Sequence, residues 1–261
     1  MNKGTLVTAI TIIFSIFSAT DSVQADPFSK IVSAPTAASL SPRSFRMETH
    51  LFDGGGIVES VRYGLTGLVD IGVSYGGASM LGSDELSFQP HAGAFMSVRV
   101  IEETVKSPAV SIGFDSQGEG VYLSDADLRR FKRKSRGLYL AVSRNYSLLG
   151  DFAFHGGANY SFETKDDDSD PSFWIGLTKS IGPLGEIAVE YDAMSNNGEG
   201  GDIQLGDGFL NAALKLKLGP SFVIELDAGN LLRSPAFNGY GVLRDDPQPS
   251  RELRLLYFRR L

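Results

Sequence analysis

From Pro42 onward, apolar and polar residues alternate with a period of two, the signature of strands whose faces differ. Phe45, Met47, Thr49 and Leu51 share one face, opposite Arg46, Glu48 and His50. Val69, Ile71, Val73 and Tyr75 oppose Asp70 and Ser74; Ala94, Met96, Val98 and Val100 oppose Ser97 and Arg99; Val110, Ile112 and Phe114 oppose Ser111 and Asp115. The pattern continues with Leu138, Leu140 and Val142 against Ser143, Phe152, Phe154 and Tyr160 against His155 and Asn159, and then Phe173, Ile175 and Leu177. Ile187, Val189 and Tyr191 oppose Glu190 and Asp192, and Leu210, Leu214, Leu216 and Leu218 oppose Asn211, Lys215 and Lys217. Phe222, Ile224 and Leu226 oppose Glu225 and Asp227, and Leu253, Leu255 and Tyr257 oppose Glu252 and Arg254. A weaker strand over 57–63, carrying Arg62, brings the expected number to twelve.

Alternation alone would also suit a soluble β-sandwich. The connections separate the two readings. One set (79–90, 122–136, 164–171, 195–207, 230–250) is long and polar, while the other (65–68, 102–108, 145–150, 181–185, 219–221) is short. Only the first connection of the long set, 53–56, is brief. Long loops at one end and short turns at the other mark outer-membrane barrels. The faces agree, because a soluble core would have to bury a charge from nearly every strand or leave an aromatic face in water. In a barrel the apolar face meets lipid and the charges meet each other or lumen water. The fold class expected is all-β, a transmembrane up-and-down antiparallel barrel over 42–261, in the bacterial outer membrane with both termini periplasmic.

The N-terminus agrees with export. Lys3 precedes an apolar run over 6–19, followed by Val23-Gln24-Ala25, which reads as a secretory signal peptide (1–25) cleaved after Ala25. The apolar run falls short of the roughly 20 residues a spanning helix needs. Residues 26–41, rich in Ala, Ser and Pro and without a period, read as a periplasmic lead-in. The chain has no cysteine, so neither disulfides nor thiolate chemistry enters. Thirty glycines suit tight turns and close strand contacts, and a formal net charge of −7 argues against a nucleic-acid partner.

Several segments together carry a resemblance: 62–76 (RYGLTGLVDIGVSYG), 108–122 (PAVSIGFDSQGEGVY), 156–163 (GGANYSFE), 189–193 (VEYDA) and 209–218 (FLNAALKLKL), then Asn230-Leu231-Leu232 and 251–257. In this order the chain resembles bacterial outer-membrane barrels of the YjbH type, associated with exopolysaccharide production or export. The resemblance implies the barrel fold and polysaccharide-export partners, and it carries no catalytic residues. The barrel-assembly machinery is expected as a further partner, although the C-terminal strand, ending Tyr257-Phe258-Arg259-Arg260-Leu261, departs from the aromatic ending common in barrels it recognises and has a basic tip.

The candidate lumen-lining residues are Arg46, Glu48, Arg62, Asp70, Arg99, Asp115, His155, Glu190, Asp192, Lys215, Lys217, Glu225, Asp227 and Arg254. They suit either a polar path for small hydrophilic solutes or an internal ion-pair network filling a closed structural or partner-binding barrel. Arg129, Arg130, Lys132, Arg133, Lys134 and Arg136 concentrate charge in one long loop and are candidates for lipopolysaccharide phosphates, beside the outer-membrane lipid itself. Asp166, Asp167, Asp168 and Asp170 form an acidic loop without the glycine and terminal glutamate of a calcium loop. His50, His91 and His155 all have lumen parity, and none lies in a short motif with Ser and an acid. The expected function is therefore non-enzymatic, without metal or cofactor, with a membrane-embedded lipid hydrolase as the outlying alternative. Trp174 is expected to point inward, and Tyr75, Tyr160 and Tyr191 to sit in an interfacial girdle.

Overall fold

A computed structural model describes residues 28–83, 85–124, 128–147, 150–196, 208–234 and 248–261. The expected signal peptide lies outside the described residues. In chain order the strands are β1 (Ser44–Phe52), β2 (Gly56–Gly64), β3 (Val69–Ala78), β4 (Ser87–Phe88), β5 (Gly93–Ile101), β6 (Ala109–Asp115), β7 (Glu119–Leu123) and β8 (Arg130–Arg133). They continue as β9 (Gly137–Ser147), β10 (Asp151–Tyr160), β11 (Ser172–Ile181), β12 (Gly185–Asp192), β13 (Phe209–Lys217), β14 (Phe222–Gly229) and β15 (Ser250–Arg260).

Twelve of them make a closed antiparallel barrel. β4 is a two-residue appendage on β3, and β7 pairs with β8 in a separate hairpin between β6 and β9. All the others pair with their neighbours in chain order, and β1 meets β15 with Met47 opposite Tyr257 to close the cylinder. Closure gives every wall strand two partners, which hydrocarbon demands of a spanning sheet.

The outer face is predominantly apolar, with Glu59 bonded to Thr49 among its few polar groups. Val73, Phe154 and Ile175 are each more than half exposed, and Ile71, Met96, Ile112, Leu140, Phe173, Ile187 and Leu226 stand beside them. Aromatic residues bracket this belt. Tyr75, Tyr160 and Tyr191 lie toward the long-loop end, and Phe45, Tyr63, Tyr146 and Tyr257 lie toward the short-turn end, where Phe45 and Tyr257 touch at 6.2 Å between ring centroids. Two aromatic girdles flanking an apolar band are the arrangement of a membrane barrel.

The interior is not a hollow tube. Residues 28–40 do not extend away as a periplasmic lead-in; they enter the lumen from the short-turn end, fold into a hairpin and return. Thr36 N donates to Ser29 O and Ile31 N to Ala34 O, both at 2.9 Å, closing a tight turn over Ile31, Val32, Ser33 and Ala34. Ile31, Val32, Ala34, Ala37 and Leu40 are all buried. The chain then reverses at Arg43, a non-glycine residue at φ 61°, and becomes the wall in β1. A segment of Ser, Ala, Thr and Pro suits this place, since small side chains let a second layer of backbone fit inside a twelve-stranded wall.

Candidate functional site

Two apolar clusters seat the hairpin. At its tip Ile31, Val32 and Ala34 pack with Tyr139, Ala141, Trp174, Ala188 and Ala213 from the wall. At its base Leu40 joins Val223, Leu256 and Phe258, with Phe28 against them. Inward-facing glycines make the room. A Cβ on Gly157 would lie 2.2 Å from the Trp174 ring, and one on Gly176 would lie 2.9 Å from Ile31 Cδ1.

Between these anchors the wall's polar side chains satisfy the hairpin's backbone. Glu190 is the centre of this arrangement. Its Oε2 accepts from the amides of Val32 (3.0 Å), Ser33 (3.0 Å) and Ala34 (2.8 Å), and its Oε1 accepts from Ser33 Oγ (2.8 Å) and Asn211 Nδ2 (2.9 Å). Arg254 donates to Val32 O (2.6 Å) and Lys215 to Lys30 O (2.9 Å). Lower down, Arg99 donates to Ala37 O (3.0 Å), Ser143 accepts from Ala37 N (2.9 Å), and Asp70 accepts from Leu40 N (3.0 Å). Arg46 donates to Ser29 Oγ, and Arg136 to Ser33 Oγ at 3.1 Å.

The remaining lumen charges form a network around Arg254, which lies within 4.0 Å of carboxylate oxygens from Glu48, Glu119, Glu225, Asp227 and Glu252, with Asp227 closest at 2.7 Å. Lys215 reaches Glu186 (3.6 Å) and Glu225 (3.9 Å), and Arg62 reaches Asp115 (3.3 Å) while lying 3.5 Å over the Phe95 ring. Asp192 binds Arg136 at 2.6 Å, and Lys217 lies 5.6 Å from the Phe28 ring centre. His155 bonds Ser143 Oγ through Nδ1 (2.8 Å) and approaches Thr178 Oγ1 through Nε2 (3.4 Å). Ser143 and His155 stand at hydrogen-bond distance, but the hydroxyl is occupied by Ala37 N, and Thr178 stands where a triad would have an acid.

Sequence reasoning missed Glu119, Glu186, Glu252, Ser143 and Asn211 as site residues. Glu186, Glu252, Ser143 and Asn211 all stood at inward parity, which lumen water would suit equally well, whereas Glu119 lay outside the strands the alternation marks.

The hairpin divides the lumen. Its Lys30 and Ser33 line an upper cavity of about 50 Å³, bounded by Glu48, His50, Arg62, Phe95, Asp115 and Arg133. Phe28, Thr36 and Ala37 line a lower vestibule of about 480 Å³ with Arg99, His155, Glu186 and Lys217. The upper space has room for only a few waters.

A second obstruction covers the long-loop end. Of the six loop cations, Arg129 and Lys132 are exposed, while Arg130 and Lys134 are buried and Arg133 and Arg136 are turned toward acids. Arg130 and Lys134 both grip Asp166, the latter at 2.8 Å, and Arg133 pairs with Glu119 at 2.5 Å. Glu163 accepts from Phe131 N and Ser135 N. The basic and acidic loops are thus each other's partners, pinning the β7–β8 hairpin to the loop between β10 and β11. Burial pushes the Glu163 carboxyl up and the Lys134 ammonium down from their ordinary values.

No protein-family model and no curated protein matches the sequence. Solved structures do match. A KdgM porin is 11% identical, with 82% of this chain and 98% of that chain covered and a TM-score of 0.52. A KdgM porin in complex with disordered oligogalacturonate matches with the same identity and coverage and a TM-score of 0.50. The Acinetobacter baumannii outer membrane protein Omp33 is 8% identical over 84% of this chain and 97% of that one, at a TM-score of 0.44. At such identities the KdgM likeness is one of fold, and the fold is that of an outer-membrane β-barrel.

Proposed function

We propose that the protein is a non-enzymatic channel of the bacterial outer membrane, passing small hydrophilic solutes and held closed by its own N-terminal hairpin. The observation that carries this reading is the hairpin itself, which separates two polar cavities and is held by hydrogen bonds to wall side chains beside its two apolar anchors. A purely structural barrel would be served as well by a packed interior. Here the obstruction is a segment joined to the wall through the single turn at Arg43, with a vestibule already open beneath it.

The long loops face outward and both termini face the periplasm, so the hairpin enters from the periplasmic side. Exposed Arg129 is the loop cation through which lipopolysaccharide phosphates would be met. Exopolysaccharide export, the finer reading carried by the sequence resemblance, would appear as reduced exopolysaccharide yield in a deletion strain.

Planar-bilayer recording tests the channel. Wild type is expected to conduct rarely, and Glu190→Ala to raise the open fraction at least tenfold. Vesicle swelling with an acidic and a neutral oligosaccharide then addresses the solute, the acidic one prompted by the KdgM porin recorded with oligogalacturonate. Persistent silence of both proteins in a correctly folded state would leave the closed structural barrel.

A further inference from the structure

We infer that the lumen is a polypeptide-binding site, in which residues 28–40 are a tethered and replaceable ligand rather than a fixed part of the core. This deepens the channel reading and rests on it for its biological sense, although the site stands on its own contacts.

A segment belonging to a core is held by packing, with its backbone paired to neighbouring backbone. Within the hairpin, backbone pairs to backbone at the turn, through Ile31 N and Thr36 N. Beside the two apolar clusters, the polar contacts to the wall are of another kind, because side chains read main-chain groups. Glu190 collects three consecutive amides, Arg254 and Lys215 each cap a carbonyl, Ser143 and Arg99 bracket Ala37 from both sides, and Asp70 takes Leu40 N. Three successive N–H groups converging on one carboxylate form an anion-binding concavity of backbone, here used in reverse, with the protein wall supplying the anion. Little in these bonds depends on the ligand's side chains. Selectivity comes from the tip pocket, where Ala141, Ala188 and Ala213 leave space for aliphatic residues against Trp174 and Tyr139. The ligand class is therefore a tight turn of small and aliphatic residues, entering from the short-turn end. The same segment supplied in trans satisfies it.

Trp174, the sole tryptophan, is 1% exposed in the pocket that receives the tip, so its emission reports occupancy independently of conductance. The test uses the full chain carrying Ile31→Asp, which places a charge against Trp174 and expels the tip. Its emission is expected to shift red. A synthetic peptide of residues 28–40 is then titrated in, and saturable recovery of the blue emission is expected, weakened at least tenfold when Glu190→Ala is added and lost with a scrambled peptide. Failure of the peptide to restore the emission of a folded, red-shifted variant would overturn the inference. So would a variant that keeps its blue emission, or one that no longer forms a heat-modifiable barrel, since either makes the hairpin an integral part of the fold; Ile31→Gly, which removes contacts without adding charge, must then show the same behaviour. Conductance of Ile31→Asp is recorded in parallel. A silent variant that still binds peptide sinks the channel and spares the site, whereas an open variant indifferent to peptide does the reverse.

Discussion

At the scale of single residues, the barrel depends on a few inward side chains whose surroundings leave them no alternative partner. Glu190 is fully buried, and truncating it strands three amides, Ser33 Oγ and one bond of Asn211. An unsatisfied buried donor costs about 1–3 kcal/mol, and the tip retains its apolar contacts, so Glu190→Ala should weaken tip docking by about 3 kcal/mol. Exchange of the amides of Val32, Ser33 and Ala34 should then accelerate by about 100-fold while the wall strands keep their protection. Unchanged exchange at those amides would remove Glu190 from its proposed role. Gly157 offers a steric counterpart. Its added Cβ would overlap the Trp174 ring and Leu140 O, 2.4 Å away, so Gly157→Ala must displace the tryptophan or bend the wall. A near-ultraviolet dichroism change at Trp174 with little loss of sheet signal is the expected result.

At the scale of elements, the two hairpins that obstruct the barrel were the parts hidden in the sequence, and the reasons are physical. The twelve wall strands were legible because burial on one face imposes a period of two on every one of them. Trp174 was read as inward on the same parity, and it is. The segment 28–40 has no such period, because it has no single buried face; its neighbours surround it, and its polar contacts reach far along the chain, 106 residues to Ser143 and 222 to Arg254. Ser, Ala, Thr and Pro in that circumstance look like linker. The β7–β8 hairpin is concealed for a related reason. Its register is irregular between Glu119 and Tyr122, and the charges holding it are matched by Asp166 and Glu163 on another loop. Local reading saw a basic loop and an acidic loop and could not join them. Removing Asp166 tests the join: Asp166→Ala leaves Arg130 and Lys134 buried without their carboxylate, a situation that costs about 3–5 kcal/mol. The hairpin should swing free, and trypsin added to the long-loop side of intact vesicles should cut after Arg130 or Lys134 at least tenfold faster than in wild type. Equal cleavage rates would mean that the lid is held by something other than this pair.

At the scale of the whole molecule, the arrangement is inverted relative to a soluble protein, with charge inside and aliphatic surface outside, and only a hydrocarbon solvent makes that inversion stable. The apolar belt runs from strand to strand through residues such as Val73, Ile112, Phe154, Ile175 and Leu226, whereas soluble monomers rarely expose contiguous apolar surface beyond a few hundred Å². The inside is stable because buried lumen charges pair with one another, as with Arg62 and Asp115 or Arg136 and Asp192, or bond the hairpin, as with Glu190. The solvent on the outside can be measured through one strand. Val73 lies near the middle of β3 with its side chain 61% exposed, whereas Val69 begins the same strand on the same face at the short-turn end. In a bilayer, arginine near the midplane costs about 2–4 kcal/mol and near the interface about 0–1 kcal/mol. Urea unfolding in lipid vesicles should therefore show Val73→Arg strongly destabilised and Val69→Arg close to wild type. In water an exposed valine on a sheet surface tolerates arginine within about 0.5 kcal/mol at either position. Equal stability of the two variants would place the belt in water and the barrel outside any membrane, whereas a graded loss from Val69 to Val73 measures the depth at which each residue sits in the lipid.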